Sequence, residues 1–180
     1  MSATAQHNVQ LGAGVAPHAE ARRFRRLVTG VNGAGKAVFL EDGETSSIQT
    51  VANTPTFVVT NLWQHTAVPV DNDGPVDDGL GGNVTLDPPL GGSVLRIVEF
   101  PPDREWKAQG VADQVHATPS LDYALVLEGE IWAVLDEEEK LMKPGEVLIQ
   151  RGTRHAWSNR SDKQAVVAFV LIGGTIPAGH

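Results

Sequence analysis

Apolar and polar residues alternate along this chain in short runs with a period of two, and turn-forming clusters separate the runs. That is the pattern of a β-sandwich or barrel. Helical periodicity is hard to find. The pattern predicts strands over residues 25–29, 37–40, 56–63, 93–100, 123–127, 131–135, 147–150, 155–158 and 165–172. Between them stand Val31-Asn32-Gly33-Ala34-Gly35, Glu41-Asp42-Gly43 and Lys143-Pro144-Gly145, where glycine supplies backbone angles that other residues resist. Residues 68–92 are rich in Pro, Gly and Asp and have little periodicity. They read as one loop, longer than the ~12–15 residues of an ordinary connection, and either cover a pocket mouth or make a surface excursion.

The hairpin over 123–135 shows how such strands build a site. Side chains alternate between faces, so Asp122, Ala124 and Val126 share one face while Tyr123, Leu125 and Leu127 share the other. With Asp122 inward, the small Ala124 leaves room beside it. Gly129 then turns the chain, and either Ile131, Ala133 and Leu135 or Trp132 and Val134 follow on the inner side. Both faces are apolar, so one suits a barrel lumen and the other a second sheet or a partner subunit. The expectation is a homodimer paired through the N-terminal strands and this second face. The acidic run 136–139 reads as a solvated turn, because adjacent carboxylates repel when buried.

Two segments, HATPSLDYALVLEGE (116–130) and PGEVLIQRGTRHAWSN (144–159), carry the chemistry. They resemble the two signature motifs of the cupin superfamily. His116 stands at the first histidine place of that pattern, Thr118 at the second, Asp122 at the glutamate place and Gly129 at the turn. Gly145, Gly152, His155 and Asn159 match the second motif, with Gln150 where proline is usual. The resemblance spans about residues 92–173. It implies an all-β jelly-roll barrel, with residues 1–91 as an N-terminal β extension and long loop, and 92–180 as the barrel core of one structural domain.

In that fold His116, Asp122 and His155 converge at one end of the barrel. They are the catalytic candidates and, as two imidazoles and a carboxylate, a possible facial triad for a divalent Fe, Mn, Ni or Zn ion. Two departures weaken the metal reading: Thr118 is a poor ligand, and Asp122 is one methylene shorter than glutamate. A metal-free pocket is the other reading. Thr118, Arg96, Trp157, Ala124 and Val126 are candidate ligand contacts. Asp122 has a plainer alternative as a hydrogen-bond acceptor for backbone amides at a strand start. Arg96, the one charge amid the apolar residues of SVLRIVEF apart from Glu99, either points inward to Asp122 or a substrate carboxylate, or outward to solvent; the outward reading is preferred. Glu99, Lys143, Arg151 and Arg154 default to solvation. Trp63, Trp106 and Trp132 suit core or interface positions, and His7, His18, His65 and His180 have no supporting context.

Composition narrows the classes further. The 180 residues are 41% apolar and 20% charged, ordinary for one globular domain. There is no cysteine, so chemistry falls to histidine, carboxylate and hydroxyl groups. The net charge of −8 opposes a nucleic-acid partner; the cluster Arg22, Arg23, Arg25 and Arg26 reads as a solvated strand or a subunit contact. No apolar run suggests a membrane span and the start lacks a secretory pattern, so the expected setting is the cytoplasm. Phosphate loop, dinucleotide fingerprint, nucleophile elbow and internal repeat are all missing. The resemblance implies an enzyme, a lyase, isomerase or dioxygenase acting on a small aromatic or polyketide-like carbonyl or carboxylate compound. Its alternative is a ligand-binding or sensory protein without catalysis.

Overall fold

The computed structural model describes residues 11–12, 14–81 and 84–178; His7 and His180 lie outside the described residues. Among these the chain forms β1 (Arg25–Val31), β2 (Ala37–Glu44), β3 (Ile48–Val51), β4 (Thr54–His65), β5 (Ser93–Phe100), α1 (Asp103–Lys107), β6 (Ser120–Glu128), β7 (Ile131–Val134), β8 (Glu139–Met142), β9 (Val147–Arg151), β10 (Ala156–Ser158) and β11 (Ala165–Gly173). None of the described residues forms a helix long and apolar enough to cross a membrane.

Six strands make one antiparallel sheet in the order β3-β4-β5-β11-β6-β9, three make a second in the order β10-β7-β8, and β1 pairs with β2 alone. The inner faces of the first two sheets meet over a shared core. Phe57, Val98, Phe100, Val126, Val167 and Phe169 of the large sheet pack with Ile131, Ala133 and Met142 of the small one, as sheets in a sandwich do. Trp157 of the small sheet meets Phe169 of the large one edge-on at 5.3 Å between ring centroids and so ties the layers, while Phe57 and Phe100 pack at 5.2 Å within the large sheet.

The β6–β7 hairpin fixes which residues face inward. Asp122, Ala124 and Val126 are buried, as are Ile131 and Ala133 after the turn. Gly129 takes a φ of +71° there, and a Cβ on it would lie 2.6 Å from the Gln164 carbonyl oxygen. Only glycine meets both demands. The last motif residue, Asn159, is a clamp: its Nδ2 donates to the Phe100 carbonyl at 2.9 Å and the Lys163 carbonyl at 2.8 Å. Its backbone N–H donates to the Asp103 carboxylate, which also accepts from Ser158 Oγ. The one short helix thus joins the ends of β5 and β10, with Trp106 buried against Phe57.

Three expectations need correction. The acidic run is a turn only as far as residue 138, since Glu139 opens β8. Its carboxylate is tolerated in a strand because that strand lies at a sheet edge and Arg160 grips it at 2.6 Å. Glu99 is buried at 1% exposure, because the segment before β1 crosses the outer face of β5 and the Arg22 backbone N–H donates to it at 3.2 Å. The basic cluster is largely neutralised: Arg22 pairs with Glu128, Arg25 with Asp42, and Arg26 with Glu41 and Asp78.

The outer face of the large sheet keeps the second apolar surface. Leu95, Leu125, Leu127, Val147 and Ile149 are exposed there, Leu125 at 38% and Ile149 at 51%. The register places Leu125 opposite Val147 and Tyr123 opposite Ile149.

Candidate functional site

The site grows from a single backbone pairing. His116 N–H donates to the His155 carbonyl at 2.9 Å and His155 N–H to the His116 carbonyl at 2.8 Å, an isolated antiparallel bridge that joins the two motifs. Their imidazoles are consequently neighbours, with centroids 4.3 Å apart. His116 Nδ1 lies 2.8 Å from the Gln114 carbonyl and His155 Nδ1 2.9 Å from the Thr153 carbonyl. A carbonyl only accepts, so each Nδ1 carries the hydrogen, and in the neutral ring the lone pair sits on Nε2. Burial holds the His155 imidazole below its usual range, against the opposing hydrogen bond to Thr153, which keeps it neutral near pH 7. Gln150 braces this loop by donating Nε2–H to the Thr153 carbonyl at 2.8 Å.

Asp122 enters the same cavity from β6 at 4% exposure. Ser120 Oγ donates to Thr118 Oγ1 at 2.7 Å, and Thr118 Oγ1 in turn reaches Asp122 Oδ2 at 3.4 Å; Asp122 Oδ1 has no hydrogen-bond partner. Burial pushes this carboxyl up from 3.8 to about 6, although the Ser120 and Thr118 hydroxyls and the Arg96 charge pull it down. Desolvation wins because the walls are apolar: Val59, Val98, Phe100, Phe169 and Leu171 line the cavity, and Trp157 closes one side with its ring edge-on to His155 at 6.0 Å. The space measures about 640 Å³, counting its open mouth.

Arg96 corrects the preferred outward reading. It is 3% exposed, on the inner face of β5 opposite Phe169 of β11, and it lines the cavity. The ladder decides this: Val94, Arg96, Val98 and Phe100 share one parity, and Phe169 and Leu171 face the same layer. Ala124 and Val126 do not line the cavity. Each step of two residues carries the strand roughly 7 Å farther from Asp122, which places them in the core beneath it. Sequence reasoning missed Leu11, Leu86 and Gln114, which border the space from irregular segments. It also missed Phe57, Val59 and Phe100, which the alternation of β4 and β5 contains as a signal. Leu86 belongs to the 68–92 loop, so part of that excursion does lie over the pocket.

The donor set does not suit a metal ion. One oxygen of Asp122 is turned to the Thr118 hydroxyl just before its own strand, and the carboxyl lies in the field of Arg96. Among the described residues no three His, Asp or Glu side chains group as a metal would require. Two paired imidazoles fall one ligand short of a three-ligand centre, so the arrangement does not fit the facial triad. What it does offer is one cavity lined by a buried carboxyl, raised to about 6, and by a neutral imidazole, that of His155.

Comparison with known proteins agrees with this architecture. A family model described as Cupin domain matches residues 100–172. The cupin-domain-containing oxidoreductase fogC of Aspergillus ruber is 34% identical over 164 residues, covering 88% of this chain and 75% of that protein. The cupin-domain-containing oxidoreductase virC of Hypocrea virens is 33% identical over 142 residues, covering 77% and 68%. A Cupin 2 conserved barrel domain protein from Salinispora arenicola overlaps 66% of this chain and 76% of its own at a TM-score of 0.39 and 13% identity. Two facing antiparallel sheets, a cavity at the crossing of two worn motifs, and relatives matched over most of both sequences have one common description: this chain belongs to the cupin-domain family.

Proposed function

We propose that this protein is a small-molecule enzyme of the cupin type that moves protons on a small aromatic or polyketide-like carbonyl compound. The observation that carries it is the Asp122 carboxyl, raised to about 6 inside an aromatic-walled cavity with Oδ1 unpartnered. A general base works best with a pKa near the working pH. As a carboxylate, Asp122 takes a proton from the carbon next to the carbonyl. The C–H electron pair moves onto the carbonyl oxygen as an enolate, and the same carboxyl returns the proton to another carbon of the conjugated system. Nothing is oxidised, and the step is an isomerisation; where a leaving group sits on the β-carbon, the enolate electrons expel it and the step becomes a lyase reaction. His116 and His155 supply the polar side of the cavity, where a ring Nε2 lone pair accepts from a hydroxyl of the substrate. Thr118 fixes the carboxyl and Trp157 walls the substrate.

A second reading follows the relatives, whose names say oxidoreductase: oxidation of the same class of compound with dioxygen as acceptor. One experiment separates the readings. Aromatic and polyketide-type ketones are incubated with the protein in heavy water, with and without dioxygen, and followed by mass spectrometry and an oxygen electrode. Deuterium uptake at carbon without oxygen consumption is the expected result. Turnover that requires dioxygen replaces proton transfer with oxidation, and tight binding without exchange or conversion replaces the enzyme with a binding protein.

A further inference from the structure

Arg96 is a deeply buried charge whose donors are not all met. A guanidinium has five N–H donors in a fixed fork, and burying it is costly unless those donors are met. Nη2–H donates to the Thr85 carbonyl at 2.9 Å, yet Nε–H is buried without a partner. Across the intervening strand β11, Asp122 Oδ1 is likewise without one. Asp122 and Asp87 both help Arg96 keep its charge, but no hydrogen bond reaches Arg96 Nε–H or Asp122 Oδ1. Donor and acceptor border one cavity, and what remains of its lining around them is largely aromatic and aliphatic.

We propose that Arg96 is the anchor for an anionic oxygen of the substrate, a carboxylate or an enolate, carried on an apolar aromatic or conjugated body. The anionic oxygen accepts from Arg96 Nε–H, and a neighbouring hydroxyl, where the substrate carries one, donates to Asp122 Oδ1, so two adjacent oxygens meet both orphaned atoms. The body lies against Phe100, Trp157 and Phe169. Thr85 sets the aim of the fork from the loop that also brings Leu86 over the cavity. The anchor therefore also reports whether that loop is in place. This assignment rests on the cavity being the substrate site and adds the charge and shape of what enters it. Burial pulls the guanidinium down to about 10, which still leaves it charged at neutral pH.

The test is binding by calorimetry of 2-naphthoate against its methyl ester, and of 1-phenylbutane-1,3-dione against its 2,2-dimethyl analogue, which cannot enolise. The first pair reads a carboxylate and the second an enolate. Wild type is expected to prefer the acidic member of at least one pair by roughly 10- to 100-fold, the span of a charge-assisted hydrogen bond. Arg96→Met should erase the preference while still binding the neutral member. Arg96→Lys, which keeps the charge but loses the Nε–H fork, should reduce it about tenfold, and it carries the test if the methionine variant fails to fold. Equal binding of both members of both pairs, or no binding of any at millimolar concentration, overturns the anchor. The acid–base reading fails independently: acid-selective binding without deuterium exchange in any compound leaves the anchor standing and removes the enzyme.

Discussion

Replacing Asp122 by asparagine should change how stability depends on pH more than it changes stability itself. The carboxyl is buried, its titration lies at about 6 instead of 3.8, and burial is the leading cause, opposed by the Ser120 and Thr118 hydroxyls and by Arg96. The native state therefore holds this proton more tightly than the unfolded chain. Below about pH 4 both states are protonated and the carboxyl costs nothing. As pH rises from 3.8 towards 6 the unfolded chain ionises first, and native stability is lost progressively; above 6 the loss is complete. A difference of about 2.2 units at 1.36 kcal/mol each gives a loss of about 3 kcal/mol. For a chain of this size that corresponds to roughly 6–12 °C in melting temperature. Urea unfolding of wild type and Asp122→Asn, followed by circular dichroism at intervals from pH 3.5 to 7.5, reads the quantity directly. Groups common to both proteins cancel in the difference, so the wild type should fall relative to the variant by about 3 kcal/mol across that window. A difference flat to within about 0.5 kcal/mol would refute the burial argument. A wild type that gains on the variant as pH rises would show that the fold prefers the ionised carboxylate.

Three further outcomes follow from the same geometry. Asp122→Asn should retain ligand affinity and lose turnover by roughly 10²–10⁴-fold, together with the limb of the pH–rate profile near pH 6; a variant within about tenfold of wild type removes Asp122 from the chemistry. Protein purified without chelator or histidine tag should hold well below one transition-metal ion per chain when measured by mass spectrometry, because the ligand set is one short; stoichiometric iron, manganese, nickel or zinc that disappears in His155→Ala would restore the triad. The exposed Leu125 and Ile149 on the outer face of the large sheet are the surface through which two copies should pair, so the double substitution Leu125→Lys, Ile149→Lys should turn a dimer into a monomer by light scattering, and a wild type monomeric at high micromolar concentration removes the dimer.

Legibility in the sequence tracked the contrast between faces. The β6–β7 hairpin was readable because Asp122 fixes which parity faces inward and Gly129 marks the turn, and β5 was readable as a strand from its unbroken β-formers. Its orientation was not: SVLRIVEF is apolar on both parities, so no pattern tells Arg96 from an outward charge, and only the pairing of Arg96 with Phe169 decides it. Strand β8 was hidden for the opposite reason. Edge strands carry charge on purpose, and Glu139 and Lys140 therefore look like the turn before them. Glu99 is buried by a segment with no regular structure, and Leu11 and Leu86 border the cavity from two others. Periodicity has nothing to say about chain that has no period.

That division between regular and irregular chain has a consequence for how the protein can be altered. The charged groups of the cavity stand on strands or in the bridge between the motifs, whereas Leu11 and Leu86 arrive on connecting segments held by few bonds, such as Gly12 N–H to the Thr50 carbonyl and Gln49 Nε2–H to the Val84 carbonyl at 3.4 Å. The cavity's charged groups and most of its cover thus come from different kinds of chain, with the Thr85 carbonyl as the link between them. Grafting a different segment in place of Leu11, or a different loop that keeps a carbonyl where Thr85 receives Arg96, changes which molecular bodies enter without disturbing Asp122, so one set of strands can be re-tailored to many guests.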